Sequence, residues 1–171
     1  IEPLVNASVA RLDGHQITSE WIPLLAERFT RNRLRAAKRL GHEDPNQPPA
    51  VLFACVHNAG RSQMAAGMMR HLSGDQVVVF SGGSSPSHEI NAAAVAAMAE
   101  VGIDISAERP HPWTDEIIKA SDVIVTMGCG DECPVFPGRQ YVDWALEDPK
   151  DQPVEKVREI RDQIEERVHR L

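Results

Sequence analysis

The chain has 171 residues, 42% hydrophobic and 25% charged, which suits one globular domain with a small appendage. The formal net charge of −7 argues against general nucleic-acid binding, and no apolar run approaches the ~18 residues of a membrane-spanning helix. No signal-peptide pattern opens the sequence, and its three cysteines are an odd number. We therefore expect reactive thiols in the reducing cytoplasm rather than structural disulfides.

The first part of the chain predicts a helical extension followed by a linker. A helix capped by Ser19 is predicted to run to about Leu40, with one apolar face and many basic residues elsewhere. Its basic surface is either a solvated helix face or a contact for an acidic partner. The Gly- and Pro-rich segment that follows predicts a boundary. We therefore divide the chain into an extension, residues 1–49, and a catalytic domain, residues 50–171.

Apolar runs and helical patterns alternate through the catalytic domain. Strands are predicted at Val51–Ala54, Val77–Phe80, Val123–Met127 and Gln140–Trp144, and helices up to about Leu72, from Asn91 to Gly102, over Trp113–Ala120 and over Pro153–Leu171. This order predicts an α/β fold, a four-stranded parallel sheet with helices on both faces, plus the N-terminal helical extension. Such folds bind ligands at the carboxyl ends of their strands. Cys55, Cys129 and Asp148 all follow predicted strands, so we expect them at one edge.

The segment from Cys55 to Ser62 predicts a binding site for a tetrahedral oxyanion. Backbone N–H groups of a tight loop and of a helix N-terminus would surround the anion, and an arginine would add a planar fork of donors. The candidate oxyanion-binding residues are Val56, His57, Asn58, Ala59, Gly60 and Arg61. The same field favours a thiolate, so Cys55 is the candidate nucleophile, and Ser62 can donate a hydrogen bond to its sulfur. The alternative interpretation is a buried cysteine beside a surface arginine.

Three further residues complete the candidate chemistry. Cys129 and Cys133 lie four positions apart in a glycine-rich loop, which we expect to be accessible and to allow disulfide formation. Three interpretations are open for these thiols: a resolving pair that accepts oxidation from Cys55, a zinc knuckle, or an incidental pair. We expect no metal, since the other two zinc ligands are missing nearby. Asp148 is either a general acid for the departing oxygen or a turn residue before proline, and Glu147 is a second candidate acid.

These motifs together resemble the arsenate reductases built on the low-molecular-weight tyrosine phosphatase fold. The segments that carry the resemblance are Cys55–Ala65, Val77–Gly83, Ala99–Ser106, Val125–Pro134 and Trp144–Pro149. The resemblance covers about residues 50–171. Some relatives bind potassium through an acidic residue in the first helix of this domain, and Ala66 stands in its place here.

The resemblance implies a thiol relay that reduces arsenate to arsenite. Cys55 would attack arsenate held by the loop and Arg61, while Asp148 assists the departure of water or hydroxide. Cys129 would then attack Cys55 and release arsenite, and Cys133 would attack Cys129 and free Cys55. Thioredoxin would reduce the resulting disulfide from outside, and no bound cofactor is implied.

Three alternatives remain open from the sequence. Some similar enzymes use a low-molecular-weight thiol with a glutaredoxin-like protein instead of thioredoxin, and they need the first cysteine alone. A protein tyrosine phosphatase would use Cys55 and Asp148, but it would have no need for Cys129 and Cys133. A redox-sensing interaction module would use the basic N-terminal helix to bind a partner, but it would leave Arg61 unexplained.

Overall fold

The computed structural model describes residues 2–13, 22–42, 44, 46–128 and 133–171. In chain order the elements are α1 (Glu2–Asp13), α2 (Ile22–Gly41), β1 (Ala50–Cys55), α3 (Arg61–Ser73), a 3-10 turn (Gly74–Gln76), β2 (Val78–Gly83), α4 (Ala92–Glu100), α5 (Asp115–Ala120), β3 (Val123–Met127), β4 (Gln140–Asp143) and α6 (Val154–His169). The predicted strands are present, each within a few residues of its expected bounds. The helix α1 was not predicted, and the predicted cap Ser19 lies outside the described residues.

The four strands form one parallel sheet in the order β2–β1–β3–β4. All six residues of β1 are buried, as expected for a central strand that is covered on both faces. In this register Cys55 pairs with Gly83 of β2 and with Met127 of β3. The carboxyl ends of three strands therefore meet at one edge, and the predicted fold class is confirmed.

One face of the sheet packs against α3, α4 and α6. Val51, Phe53 and Cys55, which alternate along β1, belong to this apolar cluster. Val157, Ile160, Ile164 and Val168 of α6 are buried, as their helical spacing predicts, whereas Val154, predicted to share this face, is partly buried. Leu171, which was predicted to continue this stripe, is 44% exposed because α6 ends at His169.

The opposite face of the sheet packs against α2 and α5. Leu52 and Ala54 of β1 share a buried cluster with Phe29 of α2. The N-terminal extension therefore supplies part of the main apolar core. Its separation from the catalytic domain stays a prediction.

Several arginines of α2 bind the rest of the chain. Arg39 donates to the carbonyl oxygen of Ala120 at 2.7 Å and forms an ion pair with Asp122 at 2.5 Å, which fastens the end of α2 to β3. Arg28 donates to the carbonyl oxygen of Ala107. Arg31, Arg35 and Lys38 are exposed, so much of the basic side of α2 is solvated, as one of the two interpretations expected. No helix of the described residues is long and apolar enough to cross a membrane.

Candidate functional site

The loop between β1 and α3 turns its carbonyl groups towards the neighbouring segment 84–91. The backbone N–H groups of that segment donate to the carbonyl oxygens of Cys55, Val56, His57 and Ala59, at 2.8 to 3.3 Å. Across a planar trans peptide, the N–H group points away from the carbonyl group. The N–H groups that follow these four carbonyls are therefore directed away from the segment 84–91. This direction leaves them free to form the anion-binding nest that the sequence predicts.

The thiol of Cys55 lies at the floor of this loop and is buried. Its Sγ is 2.9 Å from Ser62 Oγ, and the backbone N–H of Asn58 donates to it at 3.2 Å. The amide Nδ2 of Asn58 donates to Ser62 Oγ at 2.9 Å. Because Ser62 accepts from Asn58, its own hydroxyl hydrogen is available to the sulfur. Both contacts to sulfur are then donors, which stabilise a thiolate.

Asn58 holds this arrangement from a fully buried position. Its φ of +49° lies in the left-handed region, which asparagine tolerates better than most residues. Its side-chain Oδ1 accepts from Gln63 Nε2 and from the backbone N–H of His111, both at 3.0 Å. Two donors at Oδ1 fix the amide orientation, and that orientation directs Nδ2 to Ser62.

Arg61 begins α3 and holds the candidate acid. Its Nη2 is 2.6 Å from Asp148 Oδ2, and its Nη1 donates to the carbonyl oxygen of Leu146 at 3.2 Å. The side chain of Arg61 is 8% exposed, whereas that of Asp148 is 43% exposed. The acid therefore sits at the rim of the site, at one end of the guanidinium that is expected to hold the anion.

The segment that carries Asp148 is anchored against the loop. A Cβ on Gly60 would lie 2.4 Å from the Pro149 ring, so glycine allows the two segments to touch. Asn91 caps α4 by accepting from the N–H of Ala94, and its Nδ2 donates to the carbonyl oxygen of Pro149 at 3.1 Å. A single asparagine therefore joins the start of α4 to the acid segment.

These residues enclose a cavity of about 140 Å³. Its lining residues are Cys55, His57, Ala59, Gly60, Arg61, Ser87, Glu89, Asn91, Asp148, Pro149 and Lys150. The volume is well below the ~300–1,000 Å³ of pockets for drug-sized ligands. The cavity therefore suits a small oxyanion, with positive groups at its base and a carboxylic acid at its rim.

The other two cysteines lie differently from the first. Cys129 is outside the described residues. Cys133 is 7% exposed and belongs to the cluster of α2 and α5, across the sheet from the cluster that contains Cys55. The sequence predicted an accessible loop for both thiols, but Cys133 is buried because its side chain packs with that apolar layer. A relay through Cys133 requires this segment to rearrange.

Gly128, which follows β3, contacts the arginine of the site. It has a φ of +75°, and a Cβ there would lie 2.9 Å from Arg61 Nη1. The sequence interpretation connected the glycines beside Cys129 with an accessible loop. The structure gives Gly128 a second reason, since a side chain would displace the guanidinium.

Sequence reasoning missed three residues that position the site. Gln63 and His111 orient Asn58, and Asn91, which was assigned the start of a helix alone, also holds Pro149. Burial lowers the pKa of His111, and a hydrogen bond with the carbonyl oxygen of Pro112 acts in the opposite direction. The roles of His111 and Asn91 join parts of the chain that are far apart, so no sequence pattern indicates them. Among the described residues, no group of three or more His, Cys, Asp or Glu side chains is arranged to hold a metal ion.

Comparison with known proteins places this geometry in a family. A family model described as low molecular weight phosphotyrosine protein phosphatase matches residues 50–171. The chain belongs to this family. A putative arsenate reductase of Halobacterium salinarum is 38% identical over 121 residues, which are 68% of this chain and 85% of that protein. A glutaredoxin arsenate reductase of Synechocystis is 39% identical over 124 residues, 71% of this chain and 94% of that protein.

A similar solved structure extends the match to the N-terminal helices. The thioredoxin-dependent arsenate reductase Cg_ArsC1' of Corynebacterium glutamicum has a TM-score of 0.87 and 40% identity, covering 98% of this chain and 81% of that one. Both N-terminal helices of the present chain therefore fall within the matched part. The resemblance inferred from the sequence, to arsenate reductases on the phosphatase fold, is confirmed.

Proposed function

We propose that the chain is an arsenate reductase that reduces arsenate to arsenite, with Cys55 as the nucleophile. The observation that carries the proposal is the position of Cys55 Sγ, which lies at the floor of the loop with donors from Ser62 and Asn58. A small cavity with a nucleophile, an arginine and an acid suits attack on the central atom of a tetrahedral oxyanion. The similar proteins named arsenate reductases favour arsenate as that anion.

In the first step, the thiolate of Cys55 attacks arsenic and forms a sulfur–arsenic bond. Asp148 gives its proton to the departing oxygen, which leaves as water. Arg61 and the N–H groups of residues 56 to 60 stabilise the negative charge on the remaining oxygens. The hydrogen bond from Arg61 Nη2 to Asp148 Oδ2 holds this side chain beside the anion. Once Asp148 has given up its proton, the same contact becomes an ion pair.

In the second step, two thiols move the oxidation away from the cavity. The Cys129 thiolate attacks Cys55 Sγ and forms a disulfide, and the electron pair of the sulfur–arsenic bond passes to arsenic, which leaves as arsenite. The Cys133 thiolate then attacks Cys129 and expels the Cys55 thiolate. A dithiol of thioredoxin reduces the Cys129–Cys133 disulfide and becomes oxidised itself. Since Cys133 is buried, the segment that contains it must open during this step.

The wider setting belongs to the same proposal. Arsenate and thioredoxin are the partners, and residues 1–49 form an extension to a catalytic domain of residues 50–171. We place the protein in the cytoplasm, where a thiol relay is kept reduced.

A second candidate has the same chemistry at Cys55 but a different reductant. The similar Synechocystis protein is named a glutaredoxin arsenate reductase. Cys55 lines the cavity, whereas Cys133 packs in an apolar layer. This difference also favours a reductant that enters the cavity, such as a low-molecular-weight thiol followed by a glutaredoxin-like protein.

One experiment separates these candidates from each other and from a phosphatase. Arsenate-dependent NADPH consumption is followed with thioredoxin and thioredoxin reductase, for the wild type and for Cys55→Ser, Cys129→Ser and Cys133→Ser. The relay predicts that Cys55→Ser is inactive and that Cys133→Ser completes about one turnover and then stalls. Full turnover of Cys133→Ser with a small thiol and a glutaredoxin-like protein would favour the second candidate. Rapid cleavage of an aryl phosphate without arsenate-dependent NADPH use would overturn both.

A further inference from the structure

The N-terminal helices contact the segment that orients Asn58. The backbone N–H of His111 donates to Asn58 Oδ1, and the ring of His111 packs on Phe29 of α2, with 5.4 Å between ring centroids. Phe29 is 1% exposed. A residue of the extension therefore lies two contacts away from the amide that directs Ser62 to the sulfur.

Phe29 is itself held by α1 and α5. The guanidinium of Arg33 lies over the Phe29 ring, 5.7 Å from its centroid. Arg33 also forms an ion pair with Glu116 of α5 and donates to Ser8 Oγ of α1 at 3.1 Å. The ring is thus fixed by two helices besides its own.

The segment that precedes His111 is also gripped from both sides. Arg28 of α2 donates to the carbonyl oxygen of Ala107, and Gln63 of α3 lies 3.5 Å from that of Arg109. His111 stands between two prolines, which limit the backbone conformations open to it. A stiff segment transmits the position of Phe29 to the N–H of His111.

We infer that the N-terminal extension positions the nucleophile, with Phe29 and His111 as positioning residues that act through Asn58 and Ser62. This inference deepens the proposed function and rests on it for the role of Cys55 as nucleophile. We expect loss of the Phe29 ring to weaken the hydrogen bond from the His111 N–H to Asn58 Oδ1, so that the amide directs Ser62 less firmly at the sulfur. The extension would then affect thiolate formation without touching the substrate.

The test measures thiolate formation at Cys55 directly. In a Cys129→Ser, Cys133→Ser background, Cys55 is the single cysteine, and its rate of alkylation by iodoacetamide is measured against pH. Phe29→Ala and His111→Ala should each raise the pH midpoint by about one unit, equivalent to one lost hydrogen bond to a charged group. Phe29→Leu keeps apolar bulk without the ring and should give a smaller shift of the same sign, so it carries the test where Phe29→Ala does not fold.

Two matched controls separate positioning from general loosening. Ile117→Ala opens a cavity in α5, in the same apolar layer, and should lower the melting temperature without moving the midpoint. His111→Phe keeps an aromatic ring and the backbone N–H, and should also leave the midpoint in place. This variant removes the imidazole, which faces Glu108 and Arg70, so it also excludes titration of His111 as the cause.

The charged groups around the thiol stay the same in every variant. Those that line its cavity are Arg61, Asp148, Lys150, Glu89 and His57. An unchanged midpoint in folded Phe29→Ala, or an equal shift in Ile117→Ala, would overturn the inference while leaving arsenate reduction intact. If the wild type does not reduce arsenate, the proposed function fails, whatever the alkylation profiles show.

Discussion

The contact between Gly128 and Arg61 allows a sharp test of the arginine's role. Gly128 has a φ of +75°, and an added Cβ would lie 2.9 Å from Arg61 Nη1. Gly102 has a φ of +78°, and a Cβ there would meet nothing within 4 Å. Gly128→Ala and Gly102→Ala therefore carry the same backbone cost and differ in what the new methyl group touches.

The two variants should lose similar stability. A left-handed conformation costs an L-residue about 1–2 kcal/mol, which for a chain of this size lowers the melting temperature by roughly 2–8 °C. The clash at Gly128 adds little to this cost, since the end of a long arginine side chain can move. Thermal unfolding of both variants checks this expectation.

Their activities should differ widely. The guanidinium must move by roughly 0.6–1.1 Å to restore an ordinary contact distance of about 3.5–4.0 Å. A displacement of this size at a substrate-positioning group lowers kcat/KM by about 10- to 100-fold. Arsenate-dependent NADPH consumption should show this loss in Gly128→Ala and wild-type values in Gly102→Ala. Equal activities in the two variants would refute the assignment of Arg61 to the anion.

Three further predictions concern the acid, its anchor and the partly buried imidazole of His111. Asp148→Asn should lower kcat by about 10²- to 10⁴-fold, while arsenate binding, measured under single-turnover conditions, stays unchanged. Glu147 is the other candidate acid, and Glu147→Gln should keep the wild-type turnover. Asn91→Ala removes the α4 cap, which should cost about 1 kcal/mol of stability and also lower activity. Asn91→Asp can still cap α4, so it should keep the melting temperature but lose activity in the same way. Full activity in both variants would contradict the anchoring role. Because burial lowers the pKa of His111, the folded chain resists the proton that the unfolded chain takes up, so stability is present above about pH 6.5 and falls below it. Denaturant unfolding at pH 7.5 and 5.5 should show that His111→Phe loses less unfolding free energy between the two pH values than the wild type does. Equal losses in the two proteins would refute this reasoning.

The sequence was most informative where the site is built from neighbouring residues. Cys55, Arg61 and Ser62 lie within eight positions, and the strand before them and the helix after them bring them together locally. The strands were predictable for a similar reason, because burial on both faces of a parallel sheet requires short continuous apolar runs. Such patterns predict the sheet and its ligand-binding edge, and they identify Cys55 as the candidate nucleophile.

Long-range contacts were beyond the reach of those patterns. Asn58 and His111 are 53 positions apart, and Asn91 and Pro149 are 58 positions apart. No local spacing therefore predicts either contact. The position of the N-terminal extension could not be predicted either. Its basic residues suggested a surface, but Arg39 contacts Ala120 and Asp122 of the catalytic domain. Its docking against α5 depends on tertiary packing.

The sequence by itself determined where the candidate anion loop lies, because the cysteine, the small residues and the arginine are neighbours between a strand and a helix. Only the tertiary structure decided how the loop is held and what lies on each face. It placed His111 against Asn58, set Gly128 under the guanidinium and put Cys133 in the layer opposite Cys55. The physical reason is that packing and long-range hydrogen bonds depend on how distant segments meet, which the residue order of any one segment does not specify.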